Sequence, residues 1–211
     1  MEIVESIAKK SGGVYHVTLQ SGVTVRFPAP VLRAFRLKIG EPLDMDTYWQ
    51  DHRKEVYRFA MDRAVYLLSR KDYSEKMLGE KITQVGYPSW ITLEVIRFLR
   101  ERGFLDDKRF ALRIVEQKSK SMGRMRIRQY LAQKGIDKAI IRELLDEQID
   151  EDQQLRIAVE YMEKYLRKRA DQDKRRLYSN ALGMLARRGF SFELANRAYR
   201  IAEESAENPD N

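Results

Sequence analysis

The chain has 211 residues, with 40 basic against 32 acidic side chains and a net charge of +8, so it can hold one or two domains with a real core and leans toward anionic partners. It has no cysteine, which excludes disulfides and thiolate chemistry and fits a reducing compartment, and its two histidines, His16 and His52, belong to no set with metal-ligand spacing. The N-terminus, MEIVESIAKK, carries Glu2 and Glu5 instead of a long apolar core, and no apolar run reaches the roughly 18 residues of a membrane span, so a cytoplasmic protein without membrane attachment is expected.

Residues 1–50 read as a small β module. In VYHVTLQSGVTVRFP, Tyr15, Val17 and Leu19 alternate onto one face. After the turn pair Ser21-Gly22, Val23, Val25 and Phe27 continue the alternation, which is a hairpin signal. Pro28 and Pro30 stop it, and VLRAFRLKIGEPLD is expected to give one short helical turn and a closing strand. A lone hairpin is marginal in water, so the module must pack on something larger.

From about Thr47 the hydrophobic period becomes 3.6, and Val56, Phe59, Ala60, Ala64, Leu67 and Leu68 form one stripe. Helical stretches follow to about Ala202, and they repeat. Gly86, Gly135 and Gly189 align three segments: ITQVGYPSWI, LAQKGIDKAI and LARRGFSFEL. Four residues before each glycine stands Ile82, Leu131 or Leu185; directly after it stands Tyr87, Ile136 or Phe190; five after it stands Ile91, Ile140 or Leu194. Val95, Leu144 and Ala198 match at nine after, and Leu78, Ile127 and Ala181 at eight before. Each unit therefore reads as helix, glycine turn, helix, with the glycine left-handed just past a helix end. A third helix is expected to follow the hairpin in at least the first two units, starting at Asp106 or Asp107 and at Asp150 or Asp152. Three motifs in register indicate internal duplication, and short helices bury a stripe only by stacking. The expected fold is mainly α: tandem three-helix repeats forming an elongated, curved helical body behind a small N-terminal β-hairpin module. Its segments are 1–50, the β module; 51–118, repeat 1 with a leading helix; 119–169, repeat 2; 170–202, repeat 3; and 203–211, a disordered acidic tail.

Phosphate-loop and dinucleotide glycine patterns are absent. Asp106 and Asp107 stand at a helix start, where adjacent acids act as caps and dipole partners more often than as a catalytic pair. Ser74 reads as an N-cap, His16 as a surface strand residue, and Trp49 and Trp90 as packing residues. No catalytic, cofactor-binding or metal-ligating residue is assigned, and the chain is read as a non-enzyme. The charge order says more. Residues 118–134 hold six bases and no acid: Lys118, Lys120, Arg124, Arg126, Arg128 and Lys134. Nine acids against three bases follow over 137–163, then seven bases against two acids over 164–176, among them Arg175 and Arg176. With Arg187 and Arg188 before Gly189, these are the candidate partner- or nucleic-acid-binding residues. Two readings stand. The basic and acidic helices pair within the molecule, or they present a bipolar surface to an ordered polyanion or a charged protein. On the second reading Ile127 and Leu131 serve the core while Arg124, Arg126 and Arg128 are spare.

GRMRIRQYLAQKGI, RFLRERGFLDDKRFA and LLSRKDYSEKMLGEKI together resemble the RecX family of regulatory proteins. The first matches its glycine, basic-aliphatic-basic and L-x-x-x-G-I signature, and the second its glycine with paired aspartates and R-F-A. The third is similar to its R-x-x-S helix opening, here Arg70, Tyr73 and Ser74 with one residue more between arginine and serine, although Lys76 and Met77 stand where that pattern has Glu-Leu. The likeness covers about residues 56 to 202, and the β module resembles an extension found in part of the family. The resemblance implies a modulator of the RecA recombinase, built from three-helix repeats, that lies in the groove of the RecA–DNA filament and most often inhibits it. RecA is the implied partner, with single- or double-stranded DNA a second candidate, and a monomer is expected. The competing reading is a free-standing DNA-binding protein with helix-turn-helix-like units.

Overall fold

The first strand is one that side-chain alternation hardly announces. In the computed structural model, which describes residues 1–169 and 173–207, β1 (Glu2–Lys10) buries only Val4 fully and Ile7 in part. Its register on β2 (Val14–Leu19) also slips between Val4 and Ser6. A strand with a bulge and apolar residues in no regular alternation, Ile3, Val4, Ile7 and Ala8, gives no clear strand signal, yet β1 is central in the antiparallel order β3-β2-β1-β4. The hairpin of β2 and β3 (Thr24–Pro28) forms as the alternation implies, with Val17, Leu19 and Phe27 in the core and Val23 exposed beyond the strand. The short helix is α1 (Ala29–Phe35), and the closing strand is β4 (Pro42–Leu43). Then α2 (Met45–Asp51) starts on Asp44, whose carboxylate accepts from the Asp46 amide, and lays Trp49 flat on Phe27 with ring centroids 5.0 Å apart.

The sheet does pack on something larger. Val4, Val17, Phe27 and Trp49 share one buried cluster with Val56, Ala60 and Ala64 of α3 (Arg53–Leu68) and with Leu78, Ile82, Ile91 and Val95. The last four belong to α4 (Glu75–Thr83), where Ser74 accepts from the Met77 amide as a cap, and to α5 (Ser89–Glu101). This unit spans Met1–Asp106 and the other spans Asp107–Asn211.

The second unit holds α6 (Asp107–Lys118), α7 (Arg124–Gln133), α8 (Lys138–Gln148), α9 (Glu151–Arg167), α10 (Lys174–Arg187) and α11 (Phe192–Glu207). The three aligned glycines occupy equivalent turns, with φ of 107° at Gly86, 83° at Gly135 and 88° at Gly189. At Gly135 the helix closes with Ile136 N donating to Leu131 O (3.2 Å) and Gly135 N to Ala132 O (3.0 Å); Gly189 repeats both bonds, Phe190 N to Leu185 O and Gly189 N to Ala186 O. The flanking apolar positions are buried in all three, except that α8 turns Ile141 inward and leaves Ile140 half-buried.

The third helix, however, stands on the other side of each glycine hairpin. Ala111 and Val115 of α6 lie in one cluster with Ile127 and Leu131 of α7 and Leu144 and Leu145 of α8. Ala158 and Met162 of α9 lie with Leu185 of α10 and Ala195 and Ala198 of α11. Each trio is thus led by its odd helix, as α3 leads α4 and α5, instead of being closed by the helix that follows. The glycine alignment has the same period in either case, so it leaves this choice open. Asp150, capping α9 through the Gln153 amide, therefore opens the third trio. The tail also begins later than its composition implies. Residues 203–207 continue α11 because Ala202 is buried against α9 and the turn after it carries good helix formers; residues 208–211 lie outside the described part. Among the described residues no helix is long and apolar enough to cross a membrane.

Candidate polyanion-binding cleft

Within the second unit, the start of α7 is docked on the end of α10. Gly123 N donates to Arg188 O (2.9 Å), Met125 N to Gly189 O (3.0 Å) and the Arg126 guanidinium to Arg187 O (2.7 Å). A helix start leaves its first amides unpaired, and a helix end leaves its last carbonyls unpaired. Here one set answers the other, with the two helix dipoles in favourable order. The approach requires glycine on both sides. A Cβ on Gly123 would fall 2.3 Å from backbone atoms of Gly189 and Phe190, and one on Gly189 would fall 2.3 Å from Arg126 N.

This clasp assembles three of the candidate cations. Arg126, Arg187 and Arg188 converge on a cleft of about 380 Å³ floored by Ser121, Met122 and Met184. The Arg188 guanidinium lies 4.0 Å from the Tyr161 ring centroid, which fixes its plane. Nearby in sequence, Lys120 is exposed and without a partner among the described residues. Lys118 and Lys134 sit against one ring, 4.4 and 5.1 Å from the centroid of Tyr130.

Other candidates are placed elsewhere. Arg124 turns to α8, donating to Leu145 O (3.1 Å) and pairing with Asp146. Arg128 is exposed and unpartnered among the described residues, beside Lys138 and Arg142 on a separate groove. Arg175 and Arg176 are exposed in the first turn of α10, the opposite end of that helix from the cleft, where Asp173 caps the Arg176 amide. The description of Arg124, Arg126 and Arg128 as spare therefore holds for Arg128 alone. Arg124 joins acidic α8, so pairing between basic and acidic helices accounts for one of the three, while Arg126 is held by a backbone carbonyl at the end of cationic α10. Lys108–Glu143 and Arg197–Glu151 are further bonds of that internal kind.

The charge blocks resolve into helices. α7 carries three bases and α10 four, neither with an acid, whereas α8 has two bases against three acids and α11 two against four. The leading hairpin helix of both trios is thus purely cationic and the closing one net acidic. The sequence blocks point to this alternation, but they do not point to the clasp. Gly123 stands in the basic signature with nothing local to mark it as the counterpart of Gly189. Tyr130 and Tyr161 read locally as ordinary amphipathic positions.

Comparison with known proteins places this architecture. A family model described as RecX, second three-helix domain, matches residues 106–145, the stretch of α6 to α8. Regulatory protein RecX of Bacillus subtilis is 31% identical over 197 residues, which cover 92% of this chain and 74% of that protein. Regulatory protein RecX of Vibrio vulnificus is 32% identical over 145 residues, covering 68% of this chain and 92% of the relative. A crystal structure of regulatory protein RecX superposes with a TM-score of 0.66 at 25% identity, over 97% of this chain and all of that one.

Proposed function

Since this chain belongs to the RecX family of regulatory proteins, we propose that it regulates the RecA recombinase by binding the RecA filament on DNA and restraining its ATP hydrolysis and strand exchange. The observation that supports this most is the cleft of Arg126, Arg187 and Arg188, held open by a backbone clasp between two cationic helices. Three guanidinium groups on a fixed frame suit a partner that offers acidic side chains or phosphates in register. Seated in a filament groove, the cationic helices would meet such groups while the acidic helices remain turned to their own neighbours.

The free-standing DNA-binding alternative fits the charges less well. A helix-turn-helix reader lays its second hairpin helix in the major groove, against two rows of phosphate. The second hairpin helices here are α5, α8 and α11, and each is neutral or net acidic, α5 with two bases and two acids. The cations lie on the helices that such a reader keeps back.

The test is RecA ATPase on single-stranded DNA with this protein titrated in, beside a Lys120→Gln, Arg187→Gln, Arg188→Gln variant. The parent protein should lower the steady rate in proportion to its ratio to RecA. The variant should need roughly tenfold more, as three charge contacts of about 0.5 kcal/mol each imply. An unchanged ATPase together with no co-sedimentation on filaments would remove RecA as the partner.

A further inference from the structure

The first unit contains a groove that the cationic cleft does not account for. About 330 Å³ in volume, it opens where the turn after β1 and the start of α1 meet α3 and the turn between α4 and α5. Pro28, Phe59, Tyr66 and Val85 make its walls apolar. Its polar groups are mostly donors with bonds unmade. Arg63 Nε is buried and has no hydrogen-bond partner among the described residues. Tyr87 is 4% exposed, lines the groove, and likewise has no partner for its hydroxyl there. Arg33, which also lines the groove, commits its Nε to Ala29 O (3.2 Å).

Buried donors are nearly always satisfied, so Arg63 Nε, with the unbonded Tyr87 hydroxyl on the same groove, marks a place for an incoming acceptor. Burial pushes the Tyr87 phenol up to about 12; the Arg63 charge pulls it down and the Asp62 charge pushes it further up. At neutral pH it is therefore a donor. A carboxylate can accept from a guanidinium and a phenol at once, and charge assistance strengthens both bonds. Asp62 lines the same groove, which matters for the kind of ligand. A phosphodiester chain would carry one negative charge after another past that carboxylate. A peptide brings a single acid, apolar neighbours for the walls, and backbone N–H groups that Asp62 can accept from. We propose that this groove recognises a peptide segment of a protein partner, seating one acidic side chain between Arg63 and Tyr87 and an adjacent apolar side chain on Pro28 and Phe59.

The probe is N-acetyl-Phe-Glu-Phe-amide, titrated into the full nitrogen-15-labelled chain and followed at the Arg63 Nε–H resonance. The expected result is a saturable shift there, with the neutral N-acetyl-Phe-Gln-Phe-amide binding about tenfold more weakly. Tyr87→Phe, which removes one hydroxyl and keeps the ring, should weaken the Glu peptide several-fold, as should Arg63→Lys, which keeps charge and loses the fork. Should either variant fail to fold, the Glu–Gln comparison on the parent chain still decides. Equal binding of the two peptides overturns the proposal, as does a folded Tyr87→Phe protein that binds like the parent. Tighter saturation of the Arg63 signal by inorganic phosphate or a thymidine decanucleotide overturns it too, and assigns the groove to phosphate. No arm contains RecA, so the outcome is independent of the regulatory reading.

Discussion

Tyr48 shows how one residue can serve packing with its ring and oppose it with its hydroxyl. The ring stands edge-on to Phe27 at 5.5 Å and to Trp49 at 5.4 Å, tying α2 to the sheet. Its oxygen is buried without a hydrogen-bond partner among the described residues. A buried hydroxyl with no bond costs more than its absence, so Tyr48→Phe should stabilise the chain by about 1 kcal/mol in urea unfolding. A loss of stability would mean that the hydroxyl is satisfied in solution. The same burial sets a pH dependence. It pushes the Tyr48 phenol from 10.0 up to about 12, and that of Tyr87 likewise. Between those values the folded chain holds protons that the unfolded chain has released, so stability falls as pH rises through that window. Urea midpoints at about pH 8 and about pH 11 should differ for the parent and differ less for Tyr48→Phe, with Tyr87, Tyr57 and Tyr199, whose phenols burial also pushes up, supplying the remainder.

At the scale of elements, glycines carry two separate duties that substitution can divide. Gly103 ends α5 at φ 73° with nothing within 4 Å of an added Cβ, whereas Gly189 has φ 88° and Arg126 N at 2.3 Å. Gly103→Ala should therefore cost only the left-handed penalty, about 1–2 kcal/mol. Gly189→Ala should add the loss of the α7–α10 clasp and cost at least about 3 kcal/mol. Equal losses in urea unfolding would show that the clasp contributes nothing. What the sequence reveals follows the same division. Turns enforced by local chemistry were legible: the glycine hairpins, the β2–β3 alternation, and the caps at Ser74 and Asp150. Features settled by distant chain were not. β1 is held by its two neighbours in the sheet more than by its own apolar content. The order of helices within a trio is decided by which core receives Ala111 and Ala158, and neither residue differs in kind from an alanine on the opposite choice.

For the whole molecule, the question is whether +8 of net charge or its arrangement does the binding. The charge blocks were visible in the sequence, but the cleft was not, because Arg126 and Arg187 meet across 61 residues through a carbonyl. Two triple variants with the same change in net charge separate the possibilities. One, Lys120→Gln with Arg187→Gln and Arg188→Gln, removes two of the cleft's three guanidinium groups and a lysine nearby in sequence. The other, Arg128→Gln with Arg175→Gln and Arg176→Gln, removes exposed cations that the cleft does not include. Exposed substitutions usually stay within about 0.5 kcal/mol in stability, and the half-buried Arg188 adds the loss of its contact with Tyr161, so both proteins should fold, the first slightly less stable. If long-range attraction to a polyanion is enough, the two variants weaken equally, and the salt dependence of binding to bare single-stranded DNA drops by about 2 log–log units for each set of three lost contacts. If the clasped cleft recognises a surface on the RecA filament, the first variant should lose about tenfold in filament affinity and the second only a few-fold, since rim charges act mainly on encounter rates. Sedimentation with RecA filaments across a salt series reads both quantities. Identical losses would leave net charge as a sufficient cause and take the cleft out of the mechanism, whereas a gap that persists as salt rises requires contacts too close for ions to screen.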